Sequence, residues 1–270
     1  AGGGGKGMRA AQGAADFPDA LAAAQREALA AFGDPTVFLE KLVVRPRHIE
    51  FQIMADQHGN VLHFGERECS IQRRHQKIIE EAPSAALAPE LRAAMGAAAV
   101  RAAQTARYVN AGTVEFMLDQ EGRYYFLEMN TRLQVEHPVT EQVTGRDLVH
   151  LQIAIAAGES LPLTQAAIAP RGHSIEVRLY AEDPLTGLPA TGTVLAFDPP
   201  RGPGIRLDSG IMAGDEVTMW YDPLIAKLIV TAPDRSAAVA RLRTALADLA
   251  LLGLTTNTPL LRQIAADERF

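Results

Sequence analysis

Residues 128–138 read Glu-Met-Asn-Thr-Arg-Leu-Gln-Val-Glu-His-Pro, and the strand they close decides how the middle of the chain folds. Upstream, 113–118 and 123–129 have the β-branched and aromatic content of two strands and flank the dipeptide Glu121-Gly122. Taken as a two-residue hairpin turn, that dipeptide sets Glu115 directly opposite Glu128 on one sheet face. Val114, Phe116, Leu127 and Met129 are apolar, which turns the other face toward a core. Like charges directly opposite each other destabilise a sheet. A divalent cation is therefore expected to offset them: hard, oxygen-seeking, and Mg²⁺ where a nucleotide phosphate completes the shell. Asn130 lies two residues beyond Glu128, so it faces the same way and offers a carbonyl oxygen. A solvent-exposed hairpin with scattered acids is the plainer alternative. Past the strand, Arg132, Gln134 and Glu136 alternate. Arginine presents a fork to a small oxyanion and glutamate can act as a base, but the same alternation marks an exposed strand face. Spacing leaves that choice open.

Working outward, 18–32 has the pattern of a helix, with Asp16 near its start, and 36–43 that of a strand. Strands follow at 47–55 and 61–68, joined by a turn at His58-Gly59-Asn60. Helices are expected at 89–107 and 146–157, the second stopping at Gly158. After about residue 170, short strands at 173–180, 193–197 and 224–231 alternate with Gly/Pro turns, and a helix closes the pattern at 236–251. A domain or subdomain boundary is placed at 162–172.

The chain has 270 residues, 47% hydrophobic and 21% charged, an ordinary globular balance with room for one large or two modest domains. A formal net charge of -6 argues against a bulk nucleic-acid binder. Cys69 is the only cysteine, which excludes an internal disulfide and fits a reducing compartment. No apolar run reaches the roughly 20 residues that span a bilayer. The opening Gly2-Gly3-Gly4-Gly5, beside Lys6 and Arg9, suits a phosphate cradle or, equally, a flexible linker. A glycine loop normally follows a strand, and the chain starts without methionine, so it is expected to be a fragment cut after that strand. The segment 72–77 (Gln-Arg-Arg-His-Gln-Lys) precedes Glu80-Glu81 and reads either as an anion site or as a solvated ion-pair network. On the residues alone, His48 is a core or surface histidine and Arg178 an exposed strand residue.

The run 128–141 (EMNTRLQVEHPVTE) resembles the signature of biotin carboxylases, within the ATP-grasp superfamily. So do 66–83 (ERECSIQRRHQKIIEEAP), the loop GGGGKGM, and the later RLYAEDP and YDPLIAKL, in the order that family shows. The resemblance implies an α+β fold: a partial ATP-grasp lid subdomain over 1–43, an antiparallel core with the metal and bicarbonate site over 44–165, and a biotin carboxylase C-terminal subdomain over 172–270. It implies that ATP and bicarbonate form carboxyphosphate, whose carbon dioxide carboxylates biotin on a carrier domain. Glu115, Glu128 and Asn130 would then be ligands of two Mg²⁺ or Mn²⁺ ions. Arg132 would hold bicarbonate beside Gln134 and the backbone of Val135, with Glu136 as general base and Lys77 contacting bicarbonate or phosphate. Arg178 is similar to the arginine that stabilises the biotin enolate. Gly4 and Gly5 would belong to the lid over the phosphates, Glu40, Lys41 and Val43 to the strand gripping adenine, and His48, Gln72 and His75 to the nucleotide's surroundings. Implied partners are bicarbonate, a biotin carboxyl carrier domain, a carboxyltransferase subunit and, at full length, a second copy of the chain. The implied location is bacterial cytoplasm or the mitochondrial matrix, with neither nucleic acid nor membrane as partner. The family's preceding domain, its ATP-binding lysine and a Met-Lys-Met biotinylation site are not in the chain, so weak or no turnover is expected of this piece alone. A carbamoyl-phosphate-synthetase-like ligase and a non-catalytic nucleotide-binding or assembly module are the competing readings.

Overall fold

The computed structural model describes residues 7–73 and 75–270. Gly4 and Gly5 lie outside the described residues. The chain order is α1 (Phe17–Phe32), β1 (Arg47–Ala55), β2 (Val61–Arg73), β3 (Gln76–Ala82), α2 (Pro89–Thr105), β4 (Asn110–Leu118), β5 (Tyr124–Asn130), α3 (His137–Thr144), α4 (Leu148–Ala156), β6 (His173–Tyr180), β7 (Gly192–Thr193), β8 (Ala196–Asp198), β9 (Ile205–Ser209), β10 (Glu216–Val217), β11 (Leu224–Ala232), α5 (Arg235–Asp248), β12 (Ala250–Leu252) and α6 (Thr258–Ala266). Eight strands form one sheet in the order β5-β4-β1-β2-β3-β6-β11-β9, and every pairing is antiparallel. The fold is α+β. The sheet runs without a break across 162–172, because β3 pairs with β6.

Alternation along the strands separates two faces. Ile49, Phe51 and Ile53 of β1 join Val114 and Phe116 of β4 against Met95, Ala99 and Ala103 of α2. On the same side, Val177 and Leu179 of β6 and Leu228 and Val230 of β11 pack on Leu242 and Leu246 of α5 and Leu261 of α6. Alanines dominate the inner side of α2 and let the helix lie close to the strands. The opposite face carries α4, through Leu148, Leu151 and Ile155 on Met54 and Phe64, and α3, through Val139 and Val143 on Ala82 and Ile229. Between those helices and the sheet lies a buried polar layer.

Several local expectations change. Residues 36–43 form no strand: no strand pairs with them among the described residues, and Phe38, Leu39 and Leu42 are exposed. The segment is tied down instead by Lys41, whose ammonium donates to the Tyr125 hydroxyl at 2.7 Å and lies over its ring. The expected helix at 146–157 begins at Leu148, where Asp147 accepts from His150 N at 2.8 Å. The sequence reading missed α3, which has Pro138 in its first turn and ends at Gly145 in the left-handed region. The strand expected at 193–197 splits into β7 and β8, in separate two-stranded sheets. The closing helix stops at Asp248, and α6 follows it.

The hairpin β4–β5 repays closer reading. Its loop has three residues, not two: Asp119 N donates to Arg123 O, and Gly122 takes φ 79°, a left-handed position suited to glycine. That loop alone would shift Glu115 off Glu128. The register changes between Glu115 and Phe116, where Leu127 is the extra residue of a bulge, and beyond it Glu115 does stand opposite Glu128. The pairing was right for an incomplete reason. The bulge also leaves Leu127 exposed rather than facing a core.

Candidate active site

Strand registers assemble the polar layer. A row of residues crosses the sheet from Glu128 on β5 to Glu115 on β4, Glu50 on β1 and Arg67 on β2, each the direct partner of the next. Farther along, Arg178 on β6 pairs with Lys227 on β11. Three acids in neighbouring strands would repel one another, so the cations on the same face matter.

Arg67 is fully buried, and all five guanidinium N–H groups have acceptors. Nε donates to Glu50 Oε1 at 2.6 Å, Nη1 to Gln52 Oε1 at 2.8 Å and Thr140 Oγ1 at 3.0 Å, and Nη2 to Gln134 Oε1 at 3.0 Å and Thr113 Oγ1 at 3.3 Å. Lys77 spends its three N–H bonds on Glu50 Oε2 (2.5 Å), Glu136 Oε1 (2.6 Å) and Glu115 Oε1 (3.0 Å). Arg178 bridges Glu80 Oε1 at 2.6 Å and Glu136 Oε2 at 3.0 Å. Glu136, the residue before α3, is thus gripped by a different cation on each oxygen. His48 Nε2 lies 2.8 Å from Glu115 Oε2.

Burial alone would raise the carboxyl of Glu50, but Lys77 and Arg67 bring it down to about 2. Glu115 is likewise pushed up by burial, yet His48, Lys77 and Gln134 lower it to about 2. Carboxylates depressed on folding contribute stability that is fully present above their ordinary value of 4.5 and is lost as the pH falls toward 2. Denaturant unfolding at a series of acidic pH values is therefore expected to show stability dropping steeply in that window. A flat profile between pH 4.5 and 2 would count against the ionised network.

The structure brings Lys77, Glu115, Gln134, Glu136, His48 and Arg178 together. Arg178 is buried, not an exposed strand residue, and His48 is buried at the site. Gln72 donates to Cys69 O at 2.8 Å and lies 3.4 Å from His48 Nδ1. Lys77 does not pair with Glu80-Glu81 as a solvated network would have it; Glu81 is held by Arg235 and His173. Gln134 is committed at both ends, donating to Glu115 Oε1 at 2.9 Å and accepting from Arg67. The Val135 carbonyl accepts from Lys227 Nζ at 2.7 Å. Arg132, Glu128, Glu40, Lys41 and His75 are exposed, and Val43 is half-buried. Asn130 donates to Glu115 Oε1 at 2.9 Å, its carbonyl oxygen accepts from Arg132 Nη2 at 3.5 Å, and Glu128 is exposed. The donors of Glu115, Glu128 and Asn130 are all hard oxygens and fit a Mg²⁺-like ion. Glu50, Arg67, Thr140 and Lys227 are not singled out by the sequence, and Glu80 is expected there only as a neighbour of the basic segment. Glu50 alternates with Ile49 and Phe51 and so shares a face with His48 and Gln52, which was the available signal.

Two family models match the chain: the carbamoyl-phosphate synthase L chain ATP binding domain over residues 1–164, and the biotin carboxylase C-terminal domain over 176–270. The chain belongs to the biotin carboxylase family. It is 54% identical over its whole length to a biotin carboxylase of a Nostoc strain, of which it covers 61%. It is 52% identical, again over all of its length, to the mitochondrial methylcrotonoyl-CoA carboxylase subunit alpha of Arabidopsis thaliana, of which it covers 37%. It superposes with a TM-score of 0.95, at 49% identity, on the biotin carboxylase domain dimer of the 2-oxoglutarate carboxylase of Hydrogenobacter thermophilus. That structure was solved with MgADP, ADP and bicarbonate; the match covers all of this chain and 60% of that one. The chain thus spans about 60% or less of these biotin carboxylase relatives. The first family model describes an ATP-binding domain named for carbamoyl-phosphate synthases, and the second separates the biotin carboxylase branch from it.

Proposed function

We propose that the protein is an ATP-dependent ligase that carboxylates biotin on a carrier domain from ATP and bicarbonate, the first half-reaction of an acyl-CoA-type carboxylase. The observation that carries this reading is Glu136, a buried carboxylate clasped by Lys77 on one oxygen and Arg178 on the other. Its support from relatives is the bicarbonate and MgADP bound by the Hydrogenobacter thermophilus domain.

Glu136 takes the proton of bicarbonate, and the freed oxygen attacks the γ-phosphorus of ATP as the bond to ADP breaks. Arg132, exposed at the mouth of the layer, orients the bicarbonate, with Gln134 and the Val135 backbone beside it. Lys77 supplies positive charge to the carboxyphosphate that forms, which then splits to carbon dioxide and phosphate. Arg178 stabilises the negative charge on biotin as N1 gives its proton to the phosphate just released and attacks carbon dioxide. His48 and Gln72, with Glu40, Lys41, Val43 and His75 along the nearby loops, are assigned to the nucleotide. Glu115, Glu128 and Asn130 would hold Mg²⁺ or Mn²⁺, which neutralises phosphate charge when bound. A carrier domain and a carboxyltransferase are the proposed partners. Among the described residues, no helix is long and apolar enough to cross a membrane.

The test is the full-length protein supplied with ATP, Mg²⁺, bicarbonate and free biotin. Carboxybiotin and ADP are expected in equal amounts. Ammonia-dependent carbamoyl phosphate would point to the carbamoyl-phosphate-synthetase reading, and ATP binding without turnover to a non-catalytic module. Glu128→Gln in the same protein is expected to reduce Mg²⁺-dependent nucleotide cleavage by roughly a hundredfold or more, because a hard cation loses a charged ligand. An unchanged rate would remove Glu128 from the metal site.

A further inference from the structure

Glu176 sits in the middle of β6 with no exposure to solvent, and neither carboxyl oxygen has a hydrogen-bond partner among the described residues. Directly opposite it, on β3, is Glu80, which is equally buried. Glu80 Oε1 accepts from Arg178 Nε at 2.6 Å, whereas its Oε2 has no partner among the described residues. Residues paired in this way point to the same face, with Cβ atoms about 4.5–5.5 Å apart. The other buried acids around it touch cations: Glu50 meets Arg67 and Lys77, Glu115 meets Lys77, Glu136 meets Lys77 and Arg178, and Glu80 meets Arg178. Among the described residues, Glu176 touches none. Lys227 on β11 is directed to the Val135 carbonyl at 2.7 Å and to Asp208 at 3.6 Å. A buried, unpaired carboxylate beside a second carboxylate is strongly disfavoured, and such a group takes up a proton instead.

We infer that Glu176 is a neutral carboxylic acid whose O–H donates to Oε2 of Glu80, and that it is a positioning residue holding Glu80, and through it Arg178, against Glu136. One proton then gives the orphaned Glu80 oxygen its donor and removes the unpaired charge. The functional half rests on the reading of Arg178 and Glu136 proposed above; the proton's location does not. The groups facing Glu176 are Glu80 on β3, Arg178 on its own strand, Lys227 on β11 and Glu136 at the start of α3. Burial first, and then the Glu80 charge, push the Glu176 carboxyl well above the usual range, against the weaker pull of Lys227 and Arg178. Burial raises Glu80 as well, to about 7, against the pull of Arg178. The two carboxyls hold one proton between them.

Infrared difference spectroscopy on the full-length protein at about pH 8, where ordinary carboxyls are ionised, tests the proton directly. Wild type minus Glu176→Gln is expected to show the carbonyl stretch of a protonated carboxylic acid. Absence of that band overturns the inference. Turnover tests the positioning role. Glu176→Gln keeps a neutral donor and is expected to preserve biotin carboxylation within about threefold. Glu176→Leu keeps the volume and neutrality but not the donor, and is expected to lose roughly ten- to a hundredfold in kcat with the KM for ATP little changed, the scale of one charge-assisted hydrogen bond. Equal damage from both variants, or none from leucine, contradicts the positioning role. Should the leucine variant not fold, the glutamine variant and the infrared band decide: a tenfold loss with glutamine counts against the inference. A wild-type protein that carboxylates no biotin would sink the proposed function, while the infrared difference would still decide where the proton lies.

Discussion

Arg67→Met is expected to destabilise the folded chain by about 3–5 kcal/mol, the cost of removing one partner from a buried ion pair. The reason is visible in what Arg67 holds. Its five N–H bonds reach β1, β4, the loop after β5 and α3, through Glu50, Gln52, Thr113, Gln134 and Thr140. Methionine fills much of the volume but leaves Glu50, fully buried, with Lys77 as its remaining strong cation. Arg67→Lys should not rescue, because an ammonium has three donors and no planar fork. Arg67→Met combined with Glu50→Leu should recover part of the loss, since the stranded charge disappears with its partner. Denaturant unfolding measures all three variants. A loss under about 1 kcal/mol in the single methionine variant would mean that the guanidinium contributes little net stability.

Glu136→Gln is the change expected to cost the most activity. The amide keeps the shape of the side chain but cannot accept a proton as a base, so bicarbonate-dependent ATP cleavage in the full-length protein should fall by roughly 10²–10⁴-fold. Nucleotide binding should change far less, because among the described residues Glu136 contacts Lys77 and Arg178 and neither His48 nor Gln72. Steady-state kinetics with bicarbonate as the varied substrate separates the two effects. A kcat within about fivefold of wild type would move the base elsewhere.

The sequence carried several strands of the sheet well, because 47–55 and 173–180 alternate apolar and polar residues and 224–231 is a short, nearly continuous apolar run. It carried the Glu115–Glu128 pairing too, although a three-residue loop and a bulge at Leu127 stood where a two-residue turn was expected. What alternation could not convey is what covers a polar face. His48, Glu50 and Gln52 alternate with Ile49, Phe51 and Ile53 just as a half-exposed strand would, yet all six are buried. Their cover is α3 and the Arg67 network, which come from distant parts of the chain. Glu50, Arg67 and Glu176 escaped notice for that reason. The opposite error arose at 36–43, whose apolar residues suggest a strand but have no pairing partner among the described residues. The roles of Arg132, Glu136 and Arg178 came from resemblance, and the geometry adds that Arg178 and Glu136 touch while Arg132 lies exposed nearby.

The central claim is that bicarbonate itself attacks ATP. It is tested most directly by running the full-length protein with ¹⁸O-labelled bicarbonate, ATP and biotin and analysing the phosphate released. Attack by a bicarbonate oxygen makes that oxygen the bridge in carboxyphosphate, and cleavage to carbon dioxide leaves it on phosphorus. One labelled oxygen per phosphate is expected. Phosphate free of label, at the same rate of ATP cleavage, would mean that water is the nucleophile and that the site does not perform this chemistry.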